Sequence, residues 1–292
     1  MPAVKIQLSD GELHSSALET LLPSSALETL LIQVLETAKY RHVSPDLIRR
    51  VGARELSIRR SLKEAVKETK NKLHQVTGAY TGTHPAYDLW LRQLEIARQE
   101  ADPLLFRQTC RNIMECHAST RERLPLLDEF YTVLLGDIAR EQPIRSVLDV
   151  ACGLNPLAAP WMPLAQGATY YACDLHGDMM AFLEGFFALM ELHGGAEVCD
   201  VATSLPDCEV DVALVLKALP PLEQTDKTVS LRLLRSLRAR IVIVTFPTRT
   251  LGGRSKHMDV NYGARFQALV SAEPWTVERI AFANELCFRL TM

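Results

Sequence analysis

The run Val147-Leu148-Asp149-Val150-Ala151 is apolar and breaks at Cys152-Gly153. Gly153 permits a tight turn and lets a ligand approach the backbone closely. Twenty-five residues after Asp149, a second apolar run ends on Asp174. An acid at about that spacing accepts hydrogen bonds from a ribose diol; a helix cap is the competing role for it. A third run ends at Asp200-Val201, where the carboxylate suits an adenine amino group and the Val201 amide suits the ring. Together the three ends indicate an adenosine-bearing cofactor. A dinucleotide would want G-x-G-x-x-G, with its pyrophosphate on the following helix N-terminus. Here a lone glycine is followed by Asn155-Pro156, which open the next helix. S-adenosylmethionine has no phosphate, so the loop favours it. Cys152 reads as a small buried filler rather than a nucleophile.

That cofactor carries a carboxylate that needs a cation. Just upstream, "ECHASTRERLPLL" gathers His117, Ser119, Thr120 and Arg123 at the entry to an apolar helix. Arg123 could pair bidentately with the carboxylate. Ser119 and Glu122 also have the spacing of a capping box, and the two readings are compatible.

The elements that must hold these groups are short. "SVLDVA", "TYYACD", "EVCD", "VDVALVLK" and "RIVIVTF" are apolar runs separated by helical stretches. "WTVERIAF" and "ELCFRL" follow, with only Ala283-Asn284 between them, a hairpin signal. This is an α/β pattern: a Rossmann-like, mostly parallel sheet with a C-terminal antiparallel hairpin. Ligands in such sheets sit at the carboxyl ends of the strands.

Before residue 113 the reading is all-helical. Ser44-Pro45-Asp46 opens one helix with a serine cap and proline at its first position. "SIRRSLKEAVKETKNKLHQVTG" puts Ile58, Leu62, Ala65 or Val66, Thr69 and Leu73 on one stripe. SSALETLL occurs twice, at 15–22 and 24–31, around Pro23. Nine residues turn a helix by about half a revolution, so the copies cannot share a face. The expected organisation is a loose extension over 1–30, a helical domain over 31–112 and the sheet domain over 113–292.

Net charge is −3, yet it is unevenly spread. Lys39 to Lys72 holds eleven Lys and Arg against four acids, and Lys227 to Met258 holds eight against none. Two basic blocks suggest a focused polyanion surface; solvated helix faces are the alternative. The seven cysteines form no C-x-x-C pair, which gives no zinc signature. No apolar run reaches the roughly 18 residues of a membrane helix, and no secretory leader is evident. The expectation is a cytoplasmic, metal-free monomer.

The motifs "HASTRERL", "LDVACGLNPLA", "CDLH", "LVLKALPPLEQ" and "TFPTRTLGGRSKHM…NY" resemble the aminoglycoside-resistance 16S rRNA (guanine(1405)-N7) methyltransferases. The resemblance runs from about Lys39 to the C-terminus, and five motifs in order are specific where one would not be. It implies transfer of a methyl group from S-adenosylmethionine to N7 of one guanine in the decoding site of the assembled 30S subunit. Resistance to aminoglycosides such as gentamicin and kanamycin would follow. By position it implies cofactor contacts at His117, Ser119, Arg123, Ala151, Gly153, Asp174, Asp200, Val201, Leu216 and Gln224. Lys217 and Arg254 would stand at the target base as positioning groups, with no general base. Lys39, Arg59, Arg60, Lys63, Lys67, Lys70, Lys256 and Met258 would meet the RNA. Tyr262 could stack on the extruded base or pack in the core, and Glu223 would order its loop. His257 stands where relatives have glycine. The alternatives are a methyltransferase for another rRNA base or a small molecule, and a non-catalytic RNA-binding paralogue.

Overall fold

The computed structural model describes residues 24–77, 85–224, 226–248 and 258–292. The first SSALETLL copy and the loop bearing Arg254, Lys256 and His257 lie outside them, as does the side chain of Met258. Packing divides the chain between His74 and Gln75.

The first unit contains α1 (Ser24–Leu35), α2 (Pro45–Ile58) and most of α3 (Leu62–Thr77). The second SSALETLL copy lies in α1, where Leu27, Leu30 and Leu31 are buried together with Val34. They face α2 across Gly52; a Cβ there would come within 2.5 Å of Leu30 Cδ2, so glycine sets the helix separation. Helix α2 begins as its sequence dictates: Ser44 Oγ accepts from the Leu47 N–H at 3.4 Å and Pro45 is the first residue. The apolar stripe of α3 is Ala65, Val66, Thr69 and Leu73. Ile58 is not on it. The helix breaks at 59–61, and Ile58, at the end of α2, is 60% exposed.

The second unit opens with α4 (Tyr87–Gln99), α5 (Pro103–Met114), α6 (Ala118–Arg123) and α7 (Leu127–Glu141). The division by packing thus falls well before residue 112. The reason is aromatic: Tyr87, Trp90 and Phe106 pack into the core of the sheet unit. Then come β1 (Ile144–Val150), a 3-10 helix (Asn155–Trp161), β2 (Leu164–Asp174), α8 (Gly177–Leu189) and β3 (His193–Val198). They are followed by β4 (Glu209–Leu216), α9 (Leu219–Glu223), α10 (Val229–Ser236) and β5 (Arg238–Pro247). Helix α11 (Met258–Val270) leads into β6 (Thr276–Ala281) and β7 (Glu285–Thr291).

The seven strands form one sheet in the order β3-β2-β1-β4-β5-β7-β6. The first five are parallel, and β7 is antiparallel to both β5 and β6. Both faces are covered, so the central strands read as unbroken apolar runs. Val147, Tyr170, Val212, Leu214 and Ile243 enter one core, while Leu148, Val150, Ala213, Val215 and Val244 enter the other. The order reverses between β1 and β4, and that switch point opens a crevice at the carboxyl edge. Among the described residues no helix is long and apolar enough to cross a membrane.

Candidate cofactor site

Both strands at the switch point end in strained backbone. Ala151 has φ 51° and Gly153 φ 52° after β1, and Lys217 has φ 57° after β4. A left-handed alanine or lysine costs about 1–2 kcal/mol, and such strain clusters where a ligand must lie close to the chain. The His117 ring closes over Gly153: a Cβ at 153 would sit 2.8 Å from His117 Cε1. Glycine therefore serves here both for its conformation and for its lack of a side chain. Burial lowers the His117 imidazole to about 4, so it is neutral near pH 7.

Asp174 ties the β2 end to this loop. Gly153 N–H donates to its Oδ2 at 2.9 Å and Leu175 N–H to its Oδ1 at 2.6 Å. His176 Nδ1 lies 3.6 Å from Oδ1. Burial raises the carboxyl, but His176 and the two amides outweigh it and the net shift is downward. The carboxylate stays ionised and partly exposed, as a diol acceptor must. The β3 end joins through Cys199 N–H, which donates to Asp174 O at 2.9 Å. Asp200 and Val201 follow, both buried, with Asp200 Oδ1 accepting from Ala202 N–H at 3.2 Å. Leu216 is buried at the β4 end, whereas Gln224 is exposed beyond α9.

The loop has no cradle for a pyrophosphate. Asn155 N–H bonds to Cys152 O and Leu157 N–H to Leu154 O, and Pro156 has no N–H. The helix that follows is 3-10, not α. Cys152 is buried and its thiol is pushed far up by burial, consistent with a filler.

Arg123 requires a correction. Its guanidinium has no exposed surface in this arrangement and does not face the crevice as a carboxylate clamp. Arg123 pairs bidentately with Glu285, Nη2 to Oε1 at 2.6 Å and Nε to Oε2 at 3.2 Å. Nη1 donates to Asn155 Oδ1 at 2.8 Å, and the group lies 4.7 Å from the Phe130 ring centre. Burial lowers the arginine and raises the glutamate, yet each is shifted net toward its charged form by the other.

The proposed capping box is also absent. His117, not Ser119, is the N-cap of α6, without a side-chain cap bond. Glu122 Oε2 instead accepts from Lys217 Nζ at 2.8 Å, and Ser119 O accepts from the same ammonium at 2.8 Å. Lys217 Nζ is 3.6 Å from Glu285 Oε2. Glu285 Oε1 also accepts from Thr245 Oγ1 at 2.6 Å. Asn284 Nδ2 donates to Glu122 O. The consecutive pair Glu122-Arg123 is thus pinned to the consecutive pair Asn284-Glu285, with Lys217 between them. Tyr262 stacks on Phe246 at 5.2 Å, which is the core-packing alternative.

The network extends inward from Asn155. Tyr131 OH donates to Asn155 Oδ1 at 2.6 Å, and Asn155 Nδ2 donates to Asp149 Oδ2 at 2.9 Å. Tyr170 OH donates to the same oxygen at 2.8 Å. Burial pushes Asp149 up to about 7 against these donors. Between 3.8 and about 7 the unfolded carboxyl is ionised and the folded one protonated, so this group's contribution to stability is lost as pH rises. Asp149→Asn is therefore expected to gain stability relative to the wild type as pH rises from 3.8 to about 7, with no further gain above that. Urea midpoints across that range check it; parallel curves would contradict the assignment.

Sequence reasoning missed Glu285 and Asn155 as network members. An isolated acid opening the apolar run "ELCFRL" was the available signal, because a charge in a buried strand needs a partner.

Of the basic residues, Lys39, Arg60, Lys63 and Lys67 are exposed and Lys70 is half-buried. Arg59 is paired with Glu55 at 2.8 Å, and Lys39 Nζ lies 2.7 Å from His74 Nδ1. Lys63, Lys67 and Lys70 share one flank of α3, at i, i+4 and i+7.

With this geometry in hand, the relatives are informative. The model of the family "Ribosomal RNA methyltransferase (FmrO)" matches residues 36–288. A 16S rRNA (guanine(1405)-N(7))-methyltransferase of Frankia casuarinae is 39% identical over 90% of this chain and 93% of its own. The enzyme of that name from Micromonospora echinospora is 34% identical over 92% and 98%. Among solved structures, the 16S rRNA methyltransferase RmtF in complex with S-adenosyl-L-homocysteine superposes with a TM-score of 0.74 at 31% identity. That match covers 92% of this chain and 97% of RmtF. The 16S rRNA methylase RmtB gives 0.73 at 28% identity, covering 91% and 98%. A strained carboxyl-edge crevice on this sheet, matched nearly end to end by such relatives, has one meaning: the chain belongs to the FmrO family of ribosomal RNA methyltransferases.

Proposed function

We propose that this protein methylates N7 of guanine 1405 in the decoding site of 16S rRNA, acting on the assembled 30S subunit. The observation that carries the reading is the crevice itself: Gly153 under His117 and tied to Asp174, with the Gly153, Asn155 and Leu157 amides already bonded within the protein. Those residues fit S-adenosylmethionine, the methyl donor, which supplies an electrophilic methyl group when bound. Ala151 and Gly153 let it lie on the backbone, Asp174 accepts from its ribose, and Asp200 with Val201 meets the adenine. His117 adds no charge beside the sulfonium because it is neutral near pH 7.

Guanine N7 has a free lone pair and no proton to lose, so no residue need act as a base. The protein's work is orientation and holding a base extruded from its stack. Lys217, fixed at the β4 end by Glu122 and the Ser119 carbonyl, orients the base from there. Arg254 and Lys256 steady the displaced RNA backbone. Arg123 and Glu285 hold α6, and with it His117 and Ser119, over the loop. Resistance to aminoglycosides such as gentamicin and kanamycin follows from the modified nucleotide, and the enzyme works as a cytoplasmic monomer.

The first unit docks on rRNA through the exposed flank of α3. Replacing Lys63 and Lys67 together with Ala is expected to flatten the log–log salt dependence of 30S binding by about 2. Filter binding at several salt concentrations measures it; an unchanged slope removes that flank from the interface. Transfer of tritium from labelled S-adenosylmethionine tests the reading as a whole. Incorporation into purified 30S subunits is expected, and incorporation only into naked 16S rRNA, or none, would contradict it.

A further inference from the structure

Helix α4 approaches the cofactor crevice from a side that its sequence does not reveal. Leu91 seats in a notch on α8, where a Cβ on Gly185 would lie 2.7 Å from Leu91 Cδ2. One turn earlier in each helix, Tyr87 stacks on Phe182, ring centres 5.3 Å apart and planes 28° from parallel. The two helices therefore run in the same direction. Helix α8 begins at Gly177, directly after β2 ends at Asp174, so its N-terminus stands at the carboxyl edge of the sheet. The first turn of α4 must stand there too.

Between the two first turns is an open cavity of about 600 Å³, lined by Tyr87, Leu91 and Phe182, with Asp88, Arg92 and Asp178. Tyr87 is half-buried and, with Phe182 of α8 as its stacking partner, packs against the core of the sheet unit. Trp90 meets it edge-on at 5.3 Å and fixes the ring. Burial raises the phenol, and the carboxylates of Asp178 and Asp174 raise it further.

We propose that Tyr87 is a cofactor-binding residue: it walls the ribose side of the crevice beside Asp174 and offers its hydroxyl to the bound adenosine moiety. This rests on the reading of Asp174 as the ribose acceptor. It makes α4 part of the cofactor site rather than of the docking surface. The Phe182 stack holds the ring whether or not the hydroxyl is present, so Tyr87→Phe isolates the polar contact.

Two measurements with S-adenosylhomocysteine test the proposal. Calorimetric titration of Tyr87→Phe is expected to give a Kd raised about 3- to 10-fold, the loss of one hydrogen bond. The melting temperature without ligand should not change, because the Phe182 stack does not need the hydroxyl. In the wild type, amide exchange over 85–91 should slow on adding the ligand, together with exchange over 174–180. Unchanged affinity in Tyr87→Phe overturns the proposal. So does protection of 174–180 without 85–91, and in that case the cofactor reading stands. If 174–180 is not protected, the reading of Asp174 fails and the role of Tyr87 falls with it.

Discussion

Glu285→Ala is expected to destabilise the protein by about 3–5 kcal/mol, the cost of leaving a buried charge without its partner. Arg123 and Glu285 are essentially inaccessible to solvent, at 0% and 1% exposure of their side chains. Removing the carboxylate leaves the guanidinium with Asn155 Oδ1 as its side-chain acceptor among the described residues, and it also removes the acceptor for Thr245 Oγ1 and the second carboxylate near Lys217. The glutamate is shifted below its usual value of 4.5, so its contribution is present above that pH and is lost as pH falls through the folded value. Urea unfolding near pH 7 measures the loss. A change under about 1 kcal/mol would mean that the pair is not closed in solution. The double variant Arg123→Met with Glu285→Leu separates stability from function. Apolar replacement of a buried pair is commonly neutral or stabilising, so stability should recover. Cofactor binding should not, because α6 then loses the Arg123–Glu285 tie and keeps the weaker Asn284 and Lys217 contacts to Glu122.

Gly153→Ala is expected to weaken S-adenosylhomocysteine binding by at least about tenfold, with a smaller loss of stability. The left-handed conformation alone costs alanine about 1–2 kcal/mol. The new methyl would also lie 2.8 Å from the ring of His117, a buried side chain with little room to move. Either the loop relaxes to negative φ and the Gly153 N–H to Asp174 bond at 2.9 Å is lost, or His117 is displaced. Both outcomes damage the surface against which the adenosine would lie. Calorimetry with the purified variant decides it, and wild-type affinity would show that the loop is not the cofactor contact.

Local rules made much of this legible. Ser44-Pro45 announced a helix start, and the runs at β1, β2, β4 and β5 were plain because both sheet faces are covered there, whereas EVCD shares only Glu197-Val198 with the exposed edge strand β3. Asp174 and Asp200 stood out because a strand end is a place in the sequence as well as in space. What was hidden depended on partners distant along the chain. The partner of Arg123 lies 162 residues away, so spacing suggested a ligand carboxylate where the protein supplies its own. Glu122 matched a capping box, but Lys217 competes for its carboxylate across 95 residues. The stretch before residue 113 read as helical, but that reading could not show that Tyr87 and Trp90 would turn to Phe182. Ile58 fitted a helical stripe only while the chain was assumed to continue through 59–61.

The central claim, N7 methylation of one decoding-site guanine on the 30S subunit, has a direct chemical readout. N7-methylguanine in RNA is labile to reduction followed by aniline, and the strand breaks there. Purified 30S subunits treated with this protein and S-adenosylmethionine should give 16S rRNA with one new, enzyme-dependent scission, at guanine 1405. No scission, scission at another guanine, or scission only when naked 16S rRNA is the substrate would contradict the account.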